Sequence, residues 1–113
     1  MHGSIVNRTH ALLLLSLAGM LLTSACVELE SPPQACRDIA DTFATKAAEC
    51  GEDYDTVYDE FVNSVADGDC DTVVSIRDRD AFYDECIPGI EQMTCPEVES
   101  VALPPSCNNQ LGQ

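Results

Sequence analysis

The sequence predicts an all-α fold, a small disulfide-stapled bundle of three to four helices with an irregular C-terminal tail. Three observations predict it. Apolar residues between positions 35 and 93 recur mostly three and four apart, the period of a helix with one buried face. Seven cysteines are spread along a chain of only 113 residues, which suits a domain too small to rely on its core alone. All the aromatic residues, 3 Phe and 3 Tyr, fall between Phe43 and Tyr83 and centre the core there.

A first helix is expected from Pro33 to Cys50. Ser31 ahead of Pro32 and Pro33 is a start signal, because proline is tolerated in a first turn. Cys36, Ile39, Ala40, Phe43, Ala47 and Cys50 share one face, and Gly51 is a natural stop. A second helix is expected from Asp55 to Ala66, with Asp55 as cap, Val57, Tyr58, Phe61, Val62 and Val65 as its apolar stripe and Gly68 at its end. The third segment is less regular. Val73, Val74 and Ile76 suggest a short helix over Asp71–Arg77, and Ala81, Phe82, Cys86, Ile87, Ile90 and Met93 a further piece over Asp80–Met93 that Pro88 should kink or interrupt. Propensity alone also allows a strand at residues 72–76, but no partner is evident. Residues 96–113 carry Pro96, Pro104 and Pro105 and read as irregular, held back by Cys107, with residues 108–113 loose.

Residues 1–25 read as a signal peptide. The start holds a single fixed positive charge, Arg8; residues 11–22 form one apolar run; Thr23, Ser24 and Ala25 are the small residues a signal peptidase needs. The run is shorter than the roughly 18 residues of a membrane-spanning helix. The stretch Leu22-Thr23-Ser24-Ala25-Cys26 resembles the lipobox of bacterial lipoproteins. Ser24 and Ala25 match that pattern, whereas Thr23 stands where leucine is usual. The resemblance implies cleavage before Cys26, a diacylglyceryl group on its thiol and an acyl chain such as palmitate on its new amino group. It also implies the outer membrane rather than the inner, because Val27 stands where an inner-membrane member carries aspartate. If Cys26 carries no lipid, the same leader implies plain secretion.

Removing the leader leaves one domain. Residues 26–34 are expected to form a lipidated tether, spanning at most about 30 Å when extended, and residues 35–107 the helical domain. Both histidines lie in the leader, so the mature chain has none and no Ser-His catalysis. Its four basic residues, Arg37, Lys46, Arg77 and Arg79, stand against all 20 acidic ones, a formal charge of −16. That charge excludes a nucleic-acid partner, which needs basic patches. With Cys26 spent on lipid, an even set remains: Cys36, Cys50, Cys70, Cys86, Cys95 and Cys107. An exported chain of this kind uses them in disulfides. If helices one and three run parallel, Cys36 and Cys70 both sit near helix starts and Cys50 and Cys86 at similar heights. That register predicts Cys36–Cys70, Cys50–Cys86 and Cys95–Cys107. The alternative, Cys50–Cys95 with Cys86–Cys107, requires helix three to continue past Pro88.

Candidate chemistry is sparse. Asp67, Asp69, Asp71 and Asp78 fall at positions 1, 3, 5 and 12 of an EF-hand-like loop, and Val74 at its apolar position 8. Thr72 occupies position 6, where the sharp turn wants glycine. The preferred reading is helix caps with solvated neighbours, and calcium binding is expected to be absent or weak. No C-x-x-C pair is present, which speaks against zinc. Adjacent acids such as Asp59-Glu60 and Asp84-Glu85 point different ways on a helix and mark no acid–base pair. Tyr54, Tyr58, Phe61, Phe82 and Tyr83 are either core or the lining of a ligand groove. No cofactor is expected.

The mature part is also similar to a loose group of small cysteine-containing bacterial lipoproteins, a likeness that implies no activity. The expected function is a membrane-anchored envelope lipoprotein acting as a non-enzymatic binding or structural module for another envelope protein. The alternatives are a carboxylate-dependent envelope hydrolase or enzyme accessory, and an inhibitor-like module presenting the segment between Cys95 and Cys107. Mass spectrometry of the mature N-terminus is expected to find acylated Cys26, and Cys26→Ser to release the protein from membranes. An unmodified mature chain beginning at Cys26 would refute the anchor.

Overall fold

In the computed structural model, which describes residues 29–113, helix α1 runs over Pro32–Glu49. The leader, Cys26 and Val27 lie outside the described residues. Ser31 caps α1 by accepting a hydrogen bond from the Gln34 amide at 3.2 Å, and the two prolines occupy the first turn, where no intrahelical donor is needed. The helix therefore begins inside the segment expected to be tether. Its buried face is Ala35, Cys36, Ile39, Ala40, Phe43, Ala44 and Ala47. Gly51, at φ 94°, closes it. The Glu52 amide reaches back to the Ala47 carbonyl and the Gly51 amide to that of Ala48, the paired bonds of a Schellman end.

Helix α2 spans Tyr54–Ala66. Its cap is Asp53 rather than Asp55, because the Asp53 carboxylate accepts from both the amide and the hydroxyl of Thr56, at 3.0 and 2.7 Å. Those bonds hold its pKa below the ordinary carboxylate value. Phe61, Val62 and Ala66 are buried against α1, and the Phe43 and Phe61 rings lie tilted against each other with centres 5.1 Å apart. At the start of α2, the Tyr54 hydroxyl donates to Asp41 of α1 at 2.6 Å. This bond pushes the phenol up to about 12.

The expected helix over Asp71–Arg77 is absent. A 3-10 turn, Cys70–Thr72, leads instead into the short strand β1, Ser75–Ile76. The β-branched side chains of Val73, Val74 and Ile76 suit extended backbone. The partner missing from the sequence reading is the C-terminal tail. Strand β2, Leu111–Gly112, pairs antiparallel with β1, Ser75 opposite Gly112 and Ile76 opposite Leu111. A Cβ at Gly112 would meet the Ser75 hydroxyl, which would have to rotate away. Gln110, 2% exposed, has both ends of its amide satisfied. Its oxygen accepts from the Asp78 amide at 2.9 Å, and its nitrogen donates to the Ser106 carbonyl at 2.8 Å. Residues 108–113, expected to be loose, are thus bound to the body.

The third helical rod is continuous through its proline. α3 (Arg79–Ala81) passes into a π-helical segment, Phe82–Cys86, and then α4, Ile87–Glu91. Pro88 offers no N–H to the Asp84 carbonyl and crowds it. Widening the turn, so that the Ile87 amide bonds Phe82 five residues back, accommodates the ring. Phe82, Cys86 and Ile90 are completely buried.

This rod lies beside α1 in a register set by two ties of equal span. The Tyr83 hydroxyl donates to Asp38 at 3.1 Å, and Cys95 is bridged to Cys50; both pairs are 45 residues apart. Cys86 therefore lies level with the middle of α1 and cannot meet Cys50 at its end. The bridges are Cys36–Cys70, Cys50–Cys95 and Cys86–Cys107, with Cα separations of 5.5, 5.6 and 4.8 Å. The expected Cys50–Cys86 and Cys95–Cys107 links give way to the alternative pair. The reason is that helix three starts at Arg79, after the turn and strand, rather than near Cys70.

Residues 95–113 are more ordered than the sequence suggested. Helix α5, Cys95–Glu99, begins with a capping box. The Thr94 hydroxyl accepts from the Glu97 amide, and the Glu97 carboxylate accepts from the Thr94 amide. The Thr94 amide and hydroxyl both donate to the Glu97 carboxylate, at 3.0 and 2.8 Å, and lower its pKa. A 3-10 turn, Pro105–Cys107, carries the last bridge. Non-reducing peptide mapping is expected to recover Cys50–Cys95 and Cys86–Cys107; recovery of Cys50–Cys86 would contradict this register.

Candidate functional site

The four aspartates of the EF-hand-like spacing do not converge on one centre. Asp67 ends α2 in the left-handed region at φ 50°. Asp69 caps the 3-10 turn, accepting from the Asp71 amide at 2.9 Å. Asp71 pairs with Arg37 at 3.2 Å, and Asp78 caps α3 through the Ala81 amide at 3.1 Å. Among the described residues no group of three Asp, Glu, His or Cys side chains is placed to hold a metal ion. Asp59, Glu60, Asp84 and Glu85 are all exposed, and no buried side-chain polar atom among the described residues lacks a hydrogen-bond partner.

The aromatic residues divide. Phe82 is core, and Tyr83 lies edge-on to it at 4.9 Å between ring centres. Burial and the nearby Asp38 carboxylate push Tyr83 up to about 12. Tyr54 and Tyr58 stack at 5.9 Å. Phe43 and Phe61 do line a groove, beside residues that the sequence reading assigned to the core.

That groove lies beside α2. Val57 and Val65, expected inside, are only half-buried, because the wall opposite them is the thin segment after α5 rather than another helix. One hollow of about 170 Å³ is lined by Phe43, Val57, Glu60, Phe61, Ser64, Val65, Val101 and Leu103. A second, also about 170 Å³, shares Phe43, Val57, Glu60 and Val101 and extends to Val98, Glu52 and Glu99. A third, of about 260 Å³, shares Phe61, Ser64, Val65 and Leu103 and continues to Leu111. The hollows share walls along one groove beside α2, with apolar residues at its centre and carboxylates at one end. The larger hollow elsewhere, about 380 Å³, has no such apolar centre; Asp41, Thr42, Thr45, Lys46, Glu49 and Glu91 line it. Its lysine is already paired with Glu49 at 3.3 Å.

Val101 is the unusual member of the groove wall. It follows α5 at the position Gly51 occupies after α1, in the same paired hydrogen bonding. The Ala102 amide bonds the Glu97 carbonyl at 2.9 Å, and the Val101 amide that of Val98 at 3.0 Å. Such a position favours glycine, yet a β-branched residue sits there at φ 52° with 56% of its surface exposed. Left-handed backbone costs a side chain of this kind about 1–2 kcal/mol, and burial this slight returns little of it.

The sequence reading missed Val98, Val101 and Leu103 as groove residues. The available signal was Thr94-Cys95-Pro96-Glu97, a capping box with proline in its first turn, which announces a short helix where irregular chain was expected. No protein-family model, no curated protein and no solved structure matches the chain.

Val101→Asn suits left-handed backbone better and removes little buried surface. It is expected to stabilise the domain by about 1 kcal/mol, or about 4–8 °C in Tm. Thermal unfolding checks this, and a lower Tm would show that the valine side chain contributes more packing than its backbone costs.

Proposed function

We propose that this chain is a lipid-anchored envelope protein whose domain is a non-enzymatic binding module, with the groove beside α2 as its binding face. The open apolar groove with a strained valine in its wall carries the binding reading. Strain of this kind persists where a particular side chain is needed in place. The lipobox-like leader and the even set of cysteines left after Cys26 support the anchor. Val27 favours the outer membrane. The competing carboxylate-hydrolase reading wants two convergent acids with raised pKa values. Among the described residues, the carboxylates with shifted pKa values, Asp53 and Glu97, are instead lowered by capping bonds.

Geometry near the entry point gives the anchored form an orientation. Arg79 Nη1 donates to the Glu30 carbonyl, and only four links separate Cys26 from that tie. Four links span at most about 14 Å. A lipidated Cys26 would keep the start of α1 beside the bilayer. The opposite end, with Glu52, Glu99 and the mouth of the groove, would face away from it.

Site-specific photocrosslinking in intact envelopes tests the binding face. A crosslinker at Ser64, exposed on the groove wall, is expected to give discrete adducts that Val65→Asp removes, whereas one at Asp84 gives none. Equal labelling from both positions, or none from Ser64, would refute it.

A further inference from the structure

We infer that the groove takes an amphipathic helical segment of another exported protein, with apolar side chains facing in and lysine or arginine beside them. The inference rests on the binding reading of the groove and adds the chemistry of its occupant. Three observations carry it. First, the two hollows beside Val101, each of about 170 Å³, lie side by side in one open groove, a form that suits a ridge of side chains better than the enclosed pockets that bury most of a small molecule. Each has room for a single large side chain. Because they share walls, the apolar anchors of one helical turn, spaced three or four residues apart, can enter both.

Second, the charged side chains lining these two hollows are Glu52, Glu60 and Glu99, all exposed at the rim, with no cation among them. Arg37 is paired with Asp71, Lys46 with Glu49, and Arg79 bonds the Glu30 carbonyl. Carboxylates around an apolar floor favour an occupant with positive flanks and repel a negative one. Third, Val101 stands in the wall shared by both hollows at a backbone cost that glycine would avoid. Its side chain faces the space an apolar anchor would fill.

The test uses the oxidised mature domain and fluorescein-labelled synthetic peptides. They share two leucines at i and i+4 and differ only in flanking lysine, serine or glutamate. Fluorescence anisotropy at physiological salt is expected to rank lysine above serine above glutamate. The advantage of lysine over serine is expected to be about tenfold, the order that three exposed charges supply together. Glu52→Gln, Glu60→Gln and Glu99→Gln combined should erase that advantage. The same change of net charge at Asp80, Asp84 and Glu85 should leave it. Val101→Asn should weaken all binding while the domain stays folded, as cooperative unfolding shows.

Equal binding of the three peptides, still lost in Val101→Asn, would overturn the charge inference and leave the groove as a binding face. An equal loss in the two charge variants would also overturn it, since net charge alone would then explain the ranking. Binding indifferent to Val101→Asn, or no binding at all, would overturn the inference; crosslinking at Ser64 then decides separately whether the groove binds anything.

Discussion

Helix α1 is tied covalently near both ends, and the rest of the structure depends on that constraint. Cys36 in its second turn takes Cys70, and Cys50 just past its end takes Cys95. These two bridges bracket the rod formed by α3, the π segment and α4, because Cys70 precedes it and Cys95 follows it. A domain this small cannot gain much from apolar burial alone. Cross-links that close long loops offset part of the chain entropy of folding, by about 3–4 kcal/mol each in the loop-closure model. The third bridge, Cys86–Cys107, brings in the tail, and β2 and Gln110 complete its attachment to β1 and α3.

Helix α2 is held differently. It contains no cysteine and stays in place through Phe61, Val62 and Ala66, together with the Tyr54–Asp41 hydrogen bond. One edge of its apolar stripe is covered by α1, and the other meets only the segment after α5. A stripe too wide for its partner leaves Val57 and Val65 half-open, and the groove is that remainder. A bridged chain can tolerate such incomplete packing, because less of its stability must come from this helix. The left-handed Val101 fits the same pattern, with local strain borne by a segment fastened at Cys95 and Cys107.

Local features were legible in the sequence. The 3.6-residue period of Cys36, Ile39, Ala40, Phe43 and Ala47 identified the buried face of α1, and Ser31 and Gly51 its ends, because these signals act within a turn or two of helix. Periodicity found α2 as well, and the helical, disulfide-stapled class followed from period and cysteine number together. Only the tertiary structure decided which cysteines meet. Their heights depend on how much chain Cys70 to Asp78 consumes before the rod begins, and on whether Pro88 stops it or a π turn absorbs it. It also decided that the tail supplies β1's partner, and that Val57 and Val65 line a groove rather than a core. Period shows which side of a helix is apolar; what covers that side is set by segments distant along the chain.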